Sequence, residues 1–211
     1  MRSSMLVLLI SMALFTGIVK GDESAPTAPD LGSKSLPLPA SGKETGIASS
    51  PAVRIEDPDP TPSATEGPYF KPGSPERKSL LEPGIEGSRL NLTGHVLTRS
   101  GRPIANALLD FWQADANGVY DNVGYRLRGH QFTDSQGRYQ LETVIPGIYV
   151  GRTNHIHVKV QAPDGTALTT QLFFPGEAGN QEDSIFNPQL LISFNGTSKD
   201  QATFDFVLNI A

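Results

Sequence analysis

From Glu66 onward, the chain is built of short apolar runs, rich in β-branched residues and separated by glycine, asparagine, aspartate and proline. Three of these runs are Leu90 to Leu97, Ala107 to Trp112 and His155 to Val160. The region has no long apolar pattern of helical period. Many short strands joined by glycine-rich turns are typical of an all-β sandwich or barrel. The region is large enough for one two-layer core, so we predict an antiparallel β-sandwich with two layers and long active-site loops.

The first 21 residues have the features of a secretory signal peptide. Arg2 provides a positive charge, an apolar stretch runs from Met5 to Phe15, and small and polar residues follow up to Gly21. The apolar stretch is shorter than the roughly 20 residues that a membrane-spanning helix needs. We therefore predict a signal peptide at residues 1–21 and a secreted or extracytoplasmic (periplasmic) protein. An uncleaved N-terminal anchor is the alternative.

Residues 22–62 are predicted to form a disordered linker. They contain eight of the 17 prolines, interspersed with serine, threonine and glycine, and almost no aromatic or aliphatic clusters. Such a segment cannot bury enough apolar surface to offset the entropy that is lost on ordering. The folded domain is therefore predicted to span residues 63–211.

Charge and cysteine content narrow the possible functions. The formal net charge is −5 and no basic cluster occurs, which argues against binding to nucleic-acid phosphates. The chain has no cysteine, so disulfides and thiolate metal ligands are excluded. Any metal site must therefore be built from histidine, tyrosine, aspartate or glutamate.

The segment from Tyr149 to His157, Y-V-G-R-T-N-H-I-H, carries the main candidate for a functional site. His155 and His157 alternate around an isoleucine in a strand-like run, so both imidazoles are expected on one face of a strand. Neutral imidazole is the commonest metal-ligating side chain. Alternating histidines can also be half-exposed strand residues, and the spacing alone leaves both interpretations open.

Tyr120 and Tyr149 follow turns and could complete a site with the two histidines. A hard, highly charged cation can deprotonate a phenol and bind the phenolate. Two phenolates and two imidazoles suit Fe(III). For Tyr125 and Tyr139 we favour a simpler interpretation, in which each is a packed aromatic with its hydroxyl bonded to the backbone.

Several motifs follow one another in a fixed order along about half of the chain. They are Glu66-Gly67-Pro68-Tyr69, Gly94-His95-Val96, Gly101-Arg102-Pro103-Ile104, Phe111-Trp112-Gln113-Ala114-Asp115, Gly118-Val119-Tyr120, Thr133-Asp134, Gly137-Arg138-Tyr139, Pro146-Gly147-Ile148-Tyr149 and Arg152-Thr153-Asn154-His155-Ile156-His157. In this order they resemble the intradiol ring-cleavage dioxygenases, the family of catechol 1,2-, hydroxyquinol 1,2- and protocatechuate 3,4-dioxygenases. The short turn motifs are weak, because transthyretin-like sandwich modules share them. The two tyrosines, the arginine and the two histidines together are specific.

The resemblance implies one Fe(3+) per chain. By that resemblance the four protein ligands are Tyr120, Tyr149, His155 and His157. The catalytic residues that it implies are Arg152, which matches the arginine beside the bound catechol, and Tyr149, which is expected to accept a substrate proton. Two further matches are substrate-binding, a polar residue of the pocket and a tyrosine near the domain start: Gln171 and Tyr69.

The implied reaction is cleavage of a catechol ring by O2 between the two hydroxylated carbons, which gives a muconate-type dicarboxylate. The implied partners are therefore a catechol-type small molecule and O2. No nucleic acid is expected, and no membrane contact beyond the alternative N-terminal anchor. A homodimer is left open.

The chain departs from the better-known members of the family at one loop. Only Val150 and Gly151 separate Tyr149 from Arg152, where those members have a longer loop that helps to wall the pocket. We therefore expect a more open site. Two alternatives to the enzyme remain: a non-catalytic transthyretin-like secreted β-sandwich binding module, and a zinc hydrolase. The absence of a carboxylate near the two histidines disfavours zinc.

Overall fold

The computed structural model describes residues 57–211. The predicted signal peptide (1–21) and residues 22–56 of the predicted linker lie outside the described residues. The strands are β1 (Arg89–Thr98), β2 (Leu108–Trp112), β3 (Arg128–Phe132), β4 (Arg138–Val144), β5 (His155–Gln161), β6 (Leu168–Phe173), β7 (Ser193–Phe194), β8 (Gln201–Thr203) and β9 (Phe206–Leu208). Two short 3-10 helices, Ala178–Gln181 and Pro188–Leu190, lie between β6 and β7. Within residues 57–211, no helix has the length and apolar character needed to cross a membrane.

The strands form two sheets, as the sequence predicts. One sheet has the order β3-β2-β5-β6 and is antiparallel throughout. The other has the order β4-β1-β8-β7, with β9 also paired to β1. The all-β sandwich is confirmed, with one detail that apolar alternation cannot reveal: β8 and β9 run parallel to β1.

The main core lies between the sheets and explains the alternation along the strands. Leu92 and Leu141 of one sheet and Phe111 and Val158 of the other belong to a single cluster of fully buried side chains. In β5, isoleucine and valine at alternate positions enter this core, so the intervening histidines face the other side of the sheet. The candidate site must therefore lie on the outer face of the four-stranded sheet, where loops cover it.

The chain that precedes β1 is bonded to both sheets. The Thr61 amide donates to the Val207 carbonyl at 2.9 Å, and the Val207 amide donates to the Thr61 hydroxyl at 2.8 Å. The Thr170 hydroxyl donates to the Pro62 carbonyl at 2.7 Å. The last two residues of the predicted linker are thus hydrogen-bonded to the folded domain.

Gly94 of β1 allows a close approach of two backbones. A Cβ at this position would lie 1.9 Å from the Phe204 carbonyl oxygen. We expect Gly94→Ala to lower the free energy of unfolding by about 3 kcal/mol, because the backbone must shift to admit the methyl group. Urea denaturation measures the change. Gly165→Ala is the matched control, since its Cβ would meet no atom closer than 3.3 Å. Equal midpoints for the two variants would contradict the packing argument.

Candidate active site

A row of four side chains crosses the outer face of the four-stranded sheet. Strand pairing places Trp112 opposite both Arg128 and His157, and His157 opposite Gln171. The Trp112 and His157 rings are stacked at 4.8 Å between centroids, with 8° between their planes. The predicted ligand His157 therefore lies in the middle of the row, beside the predicted substrate-binding residue Gln171.

Three of the four predicted ligands meet atom to atom. The Nε2 atoms of His155 and His157 are 3.1 Å apart, and the Tyr120 hydroxyl lies 3.2 Å from His155 Nε2. All three side chains are buried, with residue exposures of 3–6%. The fourth, Tyr149, packs edge-on against Tyr120 at 5.7 Å between ring centroids. The structure thus brings together two imidazoles and two phenols.

The hydrogen bonds of the imidazoles decide where their lone pairs point. His155 Nδ1 lies 2.6 Å from the Thr153 carbonyl, which can only accept, so Nδ1 carries the proton and Nε2 has a free lone pair. His157 Nδ1 is buried and has no hydrogen-bond partner among the described residues. In either tautomer, Nδ1 of His157 has no hydrogen bond within this part of the chain, and an unsatisfied polar atom in a buried position costs free energy.

Burial keeps both histidines neutral and the phenol protonated in the absence of a cation. Burial lowers the pKa of His155 to about 4, although the bond to Thr153 opposes the shift. Burial also lowers the pKa of His157 well below its ordinary value, with a contribution from the neighbouring His155. The pKa of Tyr120 is raised by burial, while the positive charge of Arg152 opposes the rise. Neutral imidazole is the form that binds metals.

The loop that follows β2 positions Tyr120. The amide group of Gln113 donates to the Val144 carbonyl at 2.9 Å and accepts from the Thr143 hydroxyl at 2.8 Å, so it ties the end of β2 to β4. The Asp115 carboxylate then accepts from the backbone amide of Val119 at 3.0 Å and closes a turn. These bonds explain why a buried glutamine and an aspartate occur in the motif that precedes the tyrosine.

Two glycines let the Tyr120 and Tyr149 loops touch. A Cβ on Gly118 would lie 2.1 Å from the Ile148 carbonyl oxygen, and a Cβ on Gly147 would lie 2.3 Å from the Ala116 carbonyl oxygen. Asn154, which directly precedes His155, donates to the carbonyl of Pro146 at 2.6 Å. The second tyrosine is therefore held against both the first tyrosine loop and the start of β5.

Residues 65–70, here called the N-terminal strap, cross over the cluster. Tyr69 stacks on Tyr120 at 4.4 Å between centroids and shares a 2.6 Å hydrogen bond with the Tyr149 hydroxyl. This bond raises the pKa of Tyr69. The strap is anchored by an ion pair of 2.6 Å between Glu66 and Lys159 of β5. Tyr69 thus contacts both predicted tyrosine ligands.

Arg152 is held on both sides. Its Nε donates to Asp183 at 2.8 Å and its Nη2 donates to the Gln171 side-chain oxygen at 2.6 Å. Gln171 in turn donates to the Thr65 carbonyl of the strap at 2.7 Å. Burial opposes ionisation of Asp183, but bonds from the Ile185 amide and from Arg152 outweigh it and lower the pKa. The guanidinium is therefore fixed beside the cluster by a carboxylate.

Three residues that support the site were not predicted from the sequence. Asp183 also accepts from the Thr153 amide at 3.0 Å, and Asn180 accepts from the Thr153 hydroxyl at 2.9 Å. Asn180 lies in the short 3-10 helix Ala178–Gln181 and Asp183 follows it, in a polar segment with no periodic pattern. Arg128, only 2% exposed, donates to the backbone carbonyls of Tyr69 and Asp121. The run from Tyr125 to Phe132 alternates only loosely, so the sequence gave no signal that this arginine would be buried.

The simpler interpretation of the two remaining tyrosines is confirmed for their hydroxyl groups. Tyr139 donates to the carbonyl of Phe204 at 2.7 Å, and Tyr125 donates to the carbonyl of Pro72 at 2.8 Å. Neither hydroxyl takes part in the cluster.

The described part of the chain is similar to several known proteins. A family profile described as Dioxygenase matches residues 65–209. The protocatechuate 3,4-dioxygenase beta chain of Burkholderia cepacia is 35% identical in an alignment 118 positions long, which covers 47% of this chain and 50% of that protein. The chain spans about half the length of the first curated relatives that it matches.

Two solved structures are matched over almost their whole length by the fold of this chain. The dioxygenase domain of a dioxygenase and carbohydrate-binding protein fusion from Streptomyces sp. SirexAA-E is 51% identical, with a TM-score of 0.70 over 72% of this chain and 100% of that chain. An intradiol ring-cleavage dioxygenase from Tetranychus urticae is 26% identical, with a TM-score of 0.66 over 72% of this chain and 95% of that chain.

The depressed pKa of His155 predicts a pH dependence of stability in the metal-free protein. The unfolded side chain binds a proton below its ordinary pKa of 6.5, while the folded one stays neutral down to about 4. Stability is therefore full above about pH 6.5 and falls by roughly 3 kcal/mol as the pH decreases to about 4. Urea denaturation across this range measures the slope.

His155→Gln is expected to reduce that slope, because the variant has no proton to gain at this position, while the contribution of His157 remains. His95→Gln is the matched control, since the His95 side chain is 45% exposed. The same slope in the wild type and in His155→Gln would contradict the prediction.

Proposed function

Since the chain belongs to the intradiol ring-cleavage dioxygenase family, we propose that it cleaves the ring of catechol-type aromatics with O2. The ring opens between the two hydroxylated carbons, and both atoms of O2 enter the product, a muconate-type dicarboxylate. The observation that carries the proposal is the convergence of two groups on His155 Nε2: the Tyr120 hydroxyl at 3.2 Å and His157 Nε2 at 3.1 Å.

We further propose that this cluster holds one Fe(III) per chain through Tyr120, Tyr149, His155 and His157. The Nε2 lone pair of His155 supports a cation, because it faces both the Tyr120 hydroxyl and His157 Nε2 and neutral imidazole nitrogen is a metal ligand. Two phenols without a nearby carboxylate or thiolate favour a hard, highly charged ion over zinc. When bound, ferric iron would withdraw electron density from a catechol dianion and so make a ring carbon reactive toward O2.

Two residues of the chain are proposed to act on the substrate, Tyr149 as a proton acceptor and Arg152 as a fixed positive charge. As a phenolate ligand, Tyr149 would accept a catechol proton, and its hydrogen bond with Tyr69 would hold the neutral phenol that results. Arg152 keeps its guanidinium oriented through Asp183 and Gln171, and a fixed positive charge stabilises negative charge that develops on the substrate ring. Arg152 does not need to reorganise for this role.

The burial of the site argues against the non-catalytic binding module. The two imidazoles and the Tyr120 phenol are buried, and buried polar groups cost free energy unless they are paired or bind a cation. A sandwich that serves only as a binding module would be more stable with apolar side chains at these positions. The apolar signal-like segment at residues 1–21 supports the further proposal that the protein is secreted or periplasmic.

An oxygen electrode tests the reaction directly. Iron-loaded protein is expected to consume one O2 for each catechol, and ¹⁸O2 is expected to place two labelled oxygen atoms in the dicarboxylate. Catechol, protocatechuate and hydroxyquinol form the first panel. Iron-loaded protein that consumes O2 with none of them, or a product that retains both hydroxyl groups on an intact ring, would overturn the proposal.

Iron content and colour test the ligand assignment. We expect about one iron per chain and a red-brown colour from phenolate-to-Fe(III) charge transfer. His157→Ala removes an imidazole from the centre of the cluster and is expected to abolish iron retention. His130→Ala, on β3 of the same sheet, is the matched control and is expected to keep both iron and colour. Colourless wild-type protein that stays iron-free after iron loading would contradict the assignment.

Arg152 is expected to act on substrate and not on metal retention. Arg152→Ala should keep iron and colour but lower kcat/KM for catechol by about a hundredfold or more, because a preorganised charge is lost. Arg138→Ala, in an exposed ion pair on the other sheet, is the control. Normal turnover of catechol by Arg152→Ala would refute the role of the guanidinium.

A further inference from the structure

Apolar side chains are exposed mainly around the two tyrosine loops. Among residues 57–211, six large hydrophobic side chains are exposed, and four of them belong to the loops that carry Tyr120 and Tyr149. They are Val119, Val123, Ile148 and Val150, with exposures of 61–90%. Exposed apolar surface that is concentrated in one region marks a binding site more often than scattered single residues do.

Val150 is the tip of the turn that connects two site residues. The Arg152 amide donates to the Tyr149 carbonyl at 2.8 Å, and Gly151 adopts a φ of +76°, so the four residues form a tight turn. Its two ends carry the phenol and the guanidinium of the site. Val150 therefore borders the site, yet it is 89% exposed.

Val119 and Ile148 belong to the same border. Each directly precedes a predicted ligand, Tyr120 or Tyr149. The backbones of their two loops are in contact, because a Cβ on Gly118 would lie only 2.1 Å from the Ile148 carbonyl oxygen. We call Val119, Ile148 and Val150 the apolar rim.

The charges near the apolar rim disfavour an acidic substituent. The Asp115 carboxylate accepts from the Val119 amide, and the Asp121 carboxylate accepts from the amides of Val123, Gly124 and Arg126. Both carboxylates are thus fixed in the loop that carries Val119. The Arg152 guanidinium is already bonded to the carboxylate of Asp183. A neutral apolar substituent is therefore more favourable at the apolar rim than an acidic one.

We propose that the substrates are catechols with a bulky, neutral, apolar substituent, such as an aryl group, which packs on the apolar rim while the catechol ring occupies the site. This inference rests on the proposed function and names its substrate class. The short turn between Tyr149 and Arg152 leaves the substituent room to extend out of the site. Burial of its apolar surface against the rim would favour it over unsubstituted catechol.

The test compares biphenyl-3,4-diol, catechol and protocatechuate with the iron-loaded full-length protein. We expect kcat/KM to be about tenfold higher for biphenyl-3,4-diol than for catechol, and lowest for protocatechuate. Anaerobic titration, followed by the fluorescence of Trp112, the only tryptophan, measures affinity without turnover. It is expected to give the same order.

Variants locate the contact. Val150→Asp and Ile148→Asp are expected to reduce the ratio of kcat/KM for biphenyl-3,4-diol over catechol by about tenfold, with a matching loss in the affinity ratio. Ile210→Asp, which follows β9 of the other sheet, is the matched control and is expected to leave both ratios unchanged. Iron content and colour report whether each variant is folded.

The outcomes separate this inference from the proposed function. Failure of all three diols to react with coloured, iron-loaded protein would overturn the function itself. Turnover of catechol without a preference for the biphenyl compound, or a ratio unaffected by Val150→Asp, would overturn the inference alone. A dimer in light scattering that Val150→Asp converts to a monomer would also overturn it, because the rim would then be an interface between two copies.

Discussion

The register of β5 is the constraint on which the site depends. Its pairing with β2 and β6 sets Ile156 and Val158 in the core between the sheets and turns His155 and His157 to the outer face. A slip of one residue would exchange these two sets, so that imidazoles would enter the core and isoleucine would lie among the phenols. Because the core strongly prefers one register, the free energy of apolar burial also orients the predicted metal ligands.

The outer face is unusual because a second layer of side chains covers it. Trp112, Tyr120 and Ala114 form a separate buried cluster, against which the strap and Tyr149 pack. This cover removes the imidazoles from water, which lowers their pKa values and keeps them neutral. Among residues 57–211, this cover also leaves His157 Nδ1 without a hydrogen-bond partner. Neutral imidazole is the form that binds metals, so the buried pair of histidines suits the cation that we propose.

The loops around the site have buried polar residues that support it and exposed apolar residues at their tips. Buried polar side chains such as Gln113, Asn154 and Asp183 bond to the backbone or to Arg152, and so hold the functional groups in place. The exposed tips of the same loops carry valine and isoleucine. The polar contacts inside the loops fix the functional groups, and apolar side chains lie at the opening of the site. This arrangement is expected of a site that binds an aromatic ring with a substituent.

The sequence by itself determined the all-β class and the placement of the two histidines on one strand face, because residue types at period two carry that information. The set of four predicted ligands came from the order of motifs that the chain shares with a family, and not from this period. The sequence could not show that Asp183 orients Arg152, that Arg128 holds Tyr69, or that Tyr69 bonds to Tyr149. Those pairs are 31, 59 and 80 residues apart along the chain. Only the tertiary structure decided them, because contacts between distant loops depend on how the two sheets pack and which backbones the glycines allow to touch, and local pattern does not encode either.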